Sequence, residues 1–217
     1  MLIRIAIDGP GGAGKSTIAK MVAKQLNLDY IDTGAMYRAI GYKTTIMDVE
    51  PVESEKLLAM LKATDVECRG EQVFLDGKDV SLVIRTPEIA KAASKISAIA
   101  AVRQKLVSLQ RSMGQNKNVV MDGRDIGTNV LKDAEVKIFL TASPQERARR
   151  RHQQLLEKGQ KADFQKVLAD INHRDHEDMT REIDPLCKAE DAIELDTTDM
   201  SIEEVVDTIV KEAEKWL

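Results

Sequence analysis

A glycine-rich stretch near the start of the chain reads Gly9-Pro10-Gly11-Gly12-Ala13-Gly14-Lys15-Ser16-Thr17. It matches the phosphate-binding pattern G-x-x-x-x-G-K-[ST] at every position. In that pattern the glycines let backbone N–H groups converge on phosphate oxygens, the lysine reaches the β and γ phosphates, and the hydroxyl after it can ligate Mg²⁺. An apolar run over residues 2–7 precedes the stretch, and a helical pattern follows it. The stretch therefore predicts a nucleoside triphosphate site between a strand and the N-terminus of a helix.

The same glycines also fit a second pattern. Residues 9–14 spell G-x-G-x-x-G, and Asp32 lies near the distance at which a dinucleotide-binding fold keeps its ribose-binding acid. Lys15 and Ser16 favour the triphosphate site, because a dinucleotide turn needs neither a lysine nor a metal-ready hydroxyl directly after its last glycine. An NAD-binding oxidoreductase stays as the alternative.

Length and composition limit the remaining classes. With 217 residues the chain can bury one ample core and still carry a small inserted subdomain. The net charge is -4, whereas nucleic-acid binding domains are typically basic. No apolar stretch approaches the length that spans a bilayer. The first strand also leaves no room for a signal peptide. We expect a cytoplasmic protein without nucleic-acid or membrane partners, and a monomer, because no heptad run suggests an obligate assembly.

Short apolar runs predict the strands of one sheet. They are bounded by charged or turn residues and cover residues 2–7, 30–32, 119–121, 136–140 and 193–195. Continuous apolar runs of this length are typical of parallel strands that are buried on both faces. With helices between them, they predict an α/β fold with a doubly wound, parallel five-stranded sheet.

The interval between the second and third of these runs is too long for a simple crossover. It contains three apolar segments separated by glycine turns, at residues 66–68, 73–75 and 80. We expect them to form a small antiparallel β subdomain inserted after the second strand. Thr86 and Pro87 then predict a helix start, with apolar positions in phase through Ala100.

Arginines are concentrated late in the chain. One predicted helix, which runs to Gly159, carries Arg147, Arg149, Arg150 and Arg151. The next helix presents Arg174, Asp178 and Arg181 at i, i+4 and i+7. A solvated basic face and an ion-pair ladder are the ordinary explanations. Beside a triphosphate loop, the other interpretation is a set of arginines that closes over phosphates.

The chain lacks the motifs of other triphosphate-binding classes. A GTPase switch needs an N/T-K-x-D base reader and a transporter ATPase needs L-S-G-G-Q, and neither is present, which favours a small-molecule kinase. The segments at residues 32–38 and 122–127 follow the second and third predicted strands, where ligands bind in such sheets. Within them Arg38 and Arg124 can bind a phosphate bidentately, and structural salt bridges are the alternative.

Together these segments resemble bacterial cytidylate kinases, a family of P-loop nucleoside monophosphate kinases. The resemblance covers essentially the whole chain and rests on G-P-G-G-A-G-K-S-T, D-T-G-A-M-Y-R, D-G-R-D-I-G-T, the small sheet and the R-D-x-x-D-x-x-R series from Arg174. It implies reversible phosphoryl transfer from ATP to CMP or dCMP with Mg²⁺, as in pyrimidine nucleotide metabolism. It also implies one kinase domain over residues 1–217. Its core would cover about residues 1–35, 115–145 and 185–217, with a monophosphate-binding insertion at about 36–114 and a helical lid at about 146–184.

The resemblance assigns roles residue by residue. ATP would be bound by residues 9–17 and Arg147, and Mg²⁺ by Ser16, with Asp32 or Asp122 acting through water. The catalytic residues would be Lys15, Arg38, Arg124, Arg150 and Arg151. The acceptor nucleotide would be bound by Asp32, Thr33, Tyr37, Arg38, Ser94, Arg103, Arg124, Asp125, Arg174, Asp178 and Arg181.

Ser94, Arg103 and Asp125 would read the cytosine. This fits the chemistry of the base, since a carboxylate accepts from the exocyclic amine and an arginine donates to the ring acceptors. Some members of the family have serine where Thr33 stands and glycine where Ser16 stands, and Thr33 keeps the hydroxyl. The alternatives that stay open are a kinase for another monophosphate or metabolite, the oxidoreductase, and a nucleotide-dependent switch without an acceptor.

Overall fold

The structure is a computed structural model that describes residues 2–157 and 159–217, so Met1 and Lys158 lie outside the described residues. The strands are β1 (Arg4–Asp8), β2 (Asp29–Asp32), β3 (Val66–Arg69), β4 (Gln72–Leu75), β5 (Lys78–Asp79), β6 (Val119–Gly123), β7 (Val136–Thr141) and β8 (Ile193–Asp196). The α-helices are α1 (Lys15–Leu26), α2 (Thr33–Ile46), α3 (Glu55–Lys62), α4 (Pro87–Ile96), α5 (Ala100–Gly114), α6 (Pro144–Glu157), α7 (Phe164–Thr180) and α8 (Ile202–Ala213). None of the described helices is both long and apolar enough to cross a membrane.

The main sheet has five parallel strands in the order β2-β6-β1-β7-β8, which confirms the predicted fold class. β1 lies in the middle and pairs with β6 on one side and β7 on the other. In a doubly wound sheet, ligands bind outside the carboxyl ends of the strands. The loop after β1 and the segments after β2 and β6 all leave the sheet at that edge.

Alternating residues of the central strands face two different cores. Ile5 and Ile7 are buried in a cluster with α1 and α8, whereas Ala6 and Met121 face a second cluster formed with the helices of the insertion. This alternation follows from the period of two in a strand. Full burial of an isoleucine side chain contributes about 1.5–3 kcal/mol, so both faces hold the sheet in place.

The insertion after β2 begins with a helix that packs closely on α4. Asp32 caps α2 by accepting from the Ala35 backbone N–H at 2.8 Å. Gly41 makes the close packing possible, because a Cβ there would lie 2.9 Å from the Ala93 backbone nitrogen. The chain then forms the antiparallel sheet β3-β4-β5, as predicted. Its third strand lies just before Val80 rather than on it.

The helix predicted from Pro87 through Ala100 ends at Ile96, so only its predicted end was wrong. α4 ends at Ile96, and the Ser97 hydroxyl at its end donates to the Ser94 carbonyl at 2.7 Å. Ile99 is extended, with φ −85° and ψ 124°, before α5 begins. Ala100 follows Ile96 at helical spacing but belongs to α5, so the apolar pattern runs past the end of α4.

Candidate active site

The loop between β1 and α1 depends on glycine at three positions. Gly9, Gly12 and Gly14 have φ of 146°, 79° and 88°. A Cβ on Gly9 would lie 2.0 Å from the Leu140 carbonyl oxygen, so no other residue fits there. Gly14 is the N-cap of α1 and offers no side chain to it. The first turn of α1 therefore faces the loop with backbone N–H groups that no cap side chain satisfies, which suits an anion.

Lys15 is buried at the start of α1. Its Nζ donates to the Pro10 carbonyl at 2.8 Å and so lies across the loop. Burial lowers the pKa of Lys15 well below its usual value, and the nearby guanidinium groups of Arg124 and Arg174 lower it further. Three cationic side chains thus converge at the loop, and their mutual repulsion is relieved when an anion lies between them.

Arg124 and Arg174 lie against the middle of the loop. A Cβ on Gly11 would be 3.7 Å from Arg124 Nη2 and 3.8 Å from Arg174 Cδ. Arg124 Nε donates to Asp178 Oδ2 at 2.8 Å. The buried Nε of Arg174, by contrast, has no acceptor in the described part of the chain. Burial and the charge of Arg124 lower the pKa of Arg174 to about 10, which indicates a guanidinium group short of a counter-ion.

Asp122 connects the hydroxyl of Ser16 to the end of β6. Its Oδ2 accepts from Ser16 Oγ and its Oδ1 from the Tyr30 hydroxyl, both at 2.8 Å. The carboxylate is buried, and burial together with the neighbouring Asp32 raises its pKa. Since Ser16 donates its proton here, the lone pairs of its oxygen stay free to ligate a cation. Tyr30 is a site residue that the motif did not reveal.

The carboxylate of Asp32 forms ion pairs with two arginines beside α2. Arg38 Nη2 and Arg85 Nη1 each lie 3.0 Å from Asp32 Oδ2. The buried Nε of Arg38 donates to no acceptor among the described residues. Thr33 Oγ1 donates to the Asp122 carbonyl at 2.6 Å and so joins this group to the end of β6. Arg85, from the segment before α4, is a second residue that the sequence analysis missed.

Arg103 and Asp125 form a buried ion pair farther from the loop. Arg103 is 2% exposed, and its Nη2 donates to Asp125 Oδ2 at 2.5 Å. Arg181 Nη2 lies 3.4 Å from the other oxygen of Asp125. The Tyr37 ring centroid is 5.8 Å from Arg103 Cζ, and burial raises the pKa of Tyr37 to about 12. The Tyr37 hydroxyl is buried without a hydrogen-bond partner among the described residues, and so is available to a ligand.

α7 and the segment that follows it contact α4 and α5 at two further points. Ser94 Oγ, which the sequence analysis assigns to the base, donates to Glu177 Oε2 at a long 3.4 Å. Asp184 accepts from Arg103 Nε at 2.9 Å. Glu177 and Asp184 lie outside the spacing that marked the other residues of this region, and the sequence analysis gave them no role.

The arginines of α6 do not act as one cluster in the structure. Arg147 is buried and donates from Nη1 to the Gly11 carbonyl at 2.9 Å and from Nη2 to Asp175 Oδ2 at 2.6 Å. Arg150 turns instead to Thr197, donating to its carbonyl at 2.6 Å. For Arg151 no hydrogen bond or ion pair to another described residue is found. These arginines lie close together along α6, but their side chains contact different parts of the fold.

Asp8, at the end of β1, connects the glycine-rich loop to the segment that follows β6 through hydrogen bonds. Its carboxylate accepts from the backbone N–H groups of Ile126 at 2.8 Å and Gly127 at 2.7 Å. These residues begin a short π-helical turn directly after Asp125. Burial raises the pKa of Asp8 to about 6, although both hydrogen bonds oppose the shift. The residue before the glycine-rich loop thus holds the segment that carries Arg124 and Asp125.

Comparison with known proteins identifies the family of the chain. The sequence model of the cytidylate kinase family matches residues 5–215. The chain belongs to the cytidylate kinase family. A cytidylate kinase from Caldicellulosiruptor bescii is 51% identical over 213 residues, which are 96% of this chain and 94% of that protein. A cytidylate kinase from Clostridium perfringens is 49% identical over 214 residues, 99% of each chain.

A more distant likeness concerns the fold alone. A shikimate kinase structure from Bacteroides thetaiotaomicron superposes with a TM-score of 0.52 at 15% sequence identity, over 99% of both chains.

The predicted resemblance to the cytidylate kinases is confirmed by the family match. Membership makes the chain an ATP-dependent nucleoside monophosphate kinase that acts on small nucleotides, and it decides against the oxidoreductase and the switch.

Proposed function

We propose that this member of the cytidylate kinase family transfers the terminal phosphoryl group of ATP to CMP and dCMP, giving ADP and CDP or dCDP. One observation carries the proposal beyond the family match. Lys15, Arg124 and Arg174 converge at Gly11, and the buried Nε of Arg174 has no described acceptor. Three cations around one point of a glycine-rich loop suit the phosphates of two nucleotides that meet end to end.

In this proposal ATP lies along residues 9–17, with its phosphates over the first turn of α1. Lys15 leaves the Pro10 carbonyl and binds the β and γ phosphates. Arg147 acts from beneath the loop, since its Nη1 already holds the Gly11 carbonyl. This differs from a mobile arginine that meets ATP directly, and it makes Arg147 a support for the conformation of the loop.

The donor set near Ser16 suits Mg²⁺. The ion prefers oxygen ligands and keeps several waters when a nucleotide supplies its phosphates. Ser16 Oγ and the phosphates would hold the ion, and Asp122 and Asp32 would bind its waters, because both carboxylates lie beside Ser16 or its partner. Bound there, Mg²⁺ would supply charge neutralisation between the β and γ phosphates.

The acceptor would extend from the loop toward Arg103. Arg38, Arg124 and Arg174 bind its phosphate, and Asp178 and Arg181 lie beside its sugar. Asp32, Thr33 and Tyr37 border the monophosphate site, and the base reaches Ser94, Arg103 and Asp125. Asp125 would accept from the cytosine amine, and Arg103 would donate to the ring acceptors. The Arg103–Asp125 pair supports this assignment, because it offers a buried acceptor and a buried donor side by side.

Transfer in this site would need no general base. A phosphate monoester is mostly dianionic at neutral pH because its second pKa is about 6, so the acceptor oxygen is already deprotonated. The chain's own contribution is to align the two phosphates and to neutralise charge through Lys15, Arg38 and Arg124. We propose that residues 146–184 close as a lid over the insertion at 36–114, bringing Arg150 and Arg151 inward and excluding water.

ADP release with a panel of acceptors tests the proposal. The enzyme is given ATP and Mg²⁺ with CMP, dCMP, UMP, AMP or no acceptor. Strong turnover with CMP and dCMP alone is the expected result. Turnover with UMP or AMP instead would overturn the assignment of Arg103 and Asp125 to cytosine. Elution as a single chain on a sizing column, and turnover of free nucleotides without lipid or nucleic acid, would be expected of the monomeric cytoplasmic enzyme that we propose.

A further inference from the structure

Asp184 has an unusual backbone conformation at the exit of α7. Its φ is 46°, in the left-handed region, where aspartate, asparagine and glycine are the residues most readily accommodated. The side chain is partly buried, and its Oδ2 accepts from Arg103 Nε at 2.9 Å. The carbonyl of the same residue accepts from Arg181 Nε at 2.7 Å. One residue therefore contacts both guanidinium groups that flank Asp125.

The contact with Asp184 fixes the orientation of Arg103. The guanidinium group is planar, with Nε on one edge and two N–H donors on each Nη. Nε binds Asp184, Nη1 donates to the Ser97 carbonyl at 3.3 Å, and Nη2 donates to Asp125. Each Nη keeps a second N–H group that these three bonds do not use. With Nε held, the plane of the group and the direction of these remaining donors are set.

Asp184 also balances the positive charge of the buried Arg103 side chain. Arg103 and Arg181 both approach Asp125, and Arg181 Nη1 also lies 3.9 Å from Asp178 Oδ1. Without Asp184, the buried Arg103 would have to share its carboxylate partner, Asp125, with Arg181. Asp184 supplies the second carboxylate at Arg103. Loss of one partner from a buried ion pair leaves the other charge uncompensated and free to reorient.

We propose that Asp184 is a positioning residue for recognition of the acceptor base, acting through Arg103. The inference rests on the proposed function, in which Arg103 donates to the cytosine ring. Asp184 follows α7, whereas Arg103 belongs to α5, so the contact forms when the end of the lid lies against the insertion. The orientation of the base reader thus depends on a residue outside the motifs that resemble the family.

The test compares the kinetic constants of three variants with those of the wild-type enzyme. Asp184→Gly removes the carboxylate and still permits a φ of 46°, whereas Asp184→Asn keeps an oxygen that can accept from Arg103 Nε. We expect Asp184→Gly to raise the KM for CMP about tenfold and Asp184→Asn about threefold or less, because the asparagine oxygen still accepts a hydrogen bond from the charged guanidinium group and only the ion pair is lost. The kcat and the KM for ATP should change by less than about twofold, since the donor site is untouched. Glu182→Gly, an exposed acid in the same segment, is the matched control and should leave all constants unchanged.

A double-mutant cycle separates positioning from simple structural support. In an Arg103→Ala background, Asp184→Gly should raise the KM for CMP no further, because the residue through which it acts is gone. Independent, multiplying effects of the two changes would overturn the proposal. So would an unchanged KM for CMP in Asp184→Gly, or an equal loss of CMP and ATP affinity together with a lower unfolding temperature. Wild-type turnover of CMP tests the proposed function by itself, so failure of the Asp184 variants alone would count against this inference only.

Discussion

The proposed donor loop, residues 9–14, depends on three glycines with positive φ, whereas the proposed acceptor site is formed by side chains from α2, α5, α7 and the end of β6. The loop is continuous in sequence and depends on glycine dihedral angles. The acceptor site depends on ion pairs between residues up to 81 positions apart, such as Arg103 and Asp184. A change in the loop should therefore affect the chemical step as a whole, whereas a change in the acceptor site should affect one contact and one substrate.

The largest effect is expected for Lys15→Ala. In the proposed mechanism Lys15 neutralises charge on the transferred group, so its removal should lower turnover by about 10³ or more. The kcat with saturating ATP and CMP is the measurement. Lys24→Ala, an exposed lysine of the same helix, is the control and should retain full activity. A loss of less than tenfold would show that the loop works without its lysine.

Arg147→Ala tests how the donor loop is supported. Arg147 is 3% exposed and links Gly11 to Asp175. Its loss leaves a buried carboxylate unpaired, and we expect the free energy of unfolding to fall by about 3–5 kcal/mol. Chemical denaturation measures this directly. Arg149→Ala removes an exposed arginine of the same helix and should leave the unfolding midpoint where it is. Equal stability of both variants would contradict the support role.

Asp8 connects the two sites, and its effect should depend on pH. Its folded pKa is raised from 3.8 to about 6, so the folded protein binds the proton more tightly than the unfolded chain does. The contribution of Asp8 to stability is then most favourable below about pH 4 and is lost as the pH rises to about 6. Between about pH 4 and pH 6 the contribution of Asp8 to the free energy of unfolding falls by about 3 kcal/mol, and above that range it is constant.

Unfolding free energies of the wild type and Asp8→Asn, measured from pH 4 to pH 7, isolate this contribution. The asparagine does not titrate, and every other group titrates in both proteins. The difference in stability between wild type and variant should therefore be largest at pH 4 and should fall toward pH 7. Parallel curves for the two proteins would mean that Asp8 has an ordinary pKa in the folded state.

Asp125→Ala should have the smallest and most selective effect on the kinetic constants, although loss of the partner of the buried Arg103 should also lower the free energy of unfolding. If Asp125 accepts from the cytosine amine, its removal should reduce the preference for CMP over UMP by about 1–3 kcal/mol in kcat/KM. The KM for ATP should stay the same, because the donor loop is intact. Asn129→Ala is a useful comparison, since Asn129 also contacts Asp125 Oδ2, at 3.1 Å, and carries no charge. An unchanged preference in Asp125→Ala would locate base reading elsewhere.

The two sites also differ in how far the sequence reveals them. The loop, the five strands of the main sheet and the small sheet could be predicted, because each is a local pattern of glycines or apolar residues. The expectation that all five strands are buried was wrong for β8, an edge strand in which Ile193 is 39% exposed. α2 was missed, since Gly34, Gly41 and two threonines near its end obscure the helical pattern, although Gly41 is required for contact with α4.

The directions of long side chains were the other gap. Helical spacing placed Asp178 between Arg174 and Arg181, but its carboxylate accepts from Arg124 Nε at 2.8 Å and lies 3.9 Å from Arg181 Nη1. The same spacing placed Arg147 beside Arg150, and these two side chains contact different partners. Spacing along a helix fixes where a Cα lies, and a guanidinium group several bonds away is placed by whatever acceptors the rest of the fold supplies. Asp184 was missed for the same reason, because its partner Arg103 is distant in sequence.

The most direct test of the whole account follows the transferred group itself. ATP labelled on its γ phosphate is incubated with Mg²⁺, CMP and the enzyme, and the products are separated. The account predicts that the label appears in CDP, with one ADP formed for each CDP, and that Arg124→Ala greatly reduces this transfer. Label that appears mainly as inorganic phosphate, or that reaches UMP or AMP as readily as CMP, would contradict it.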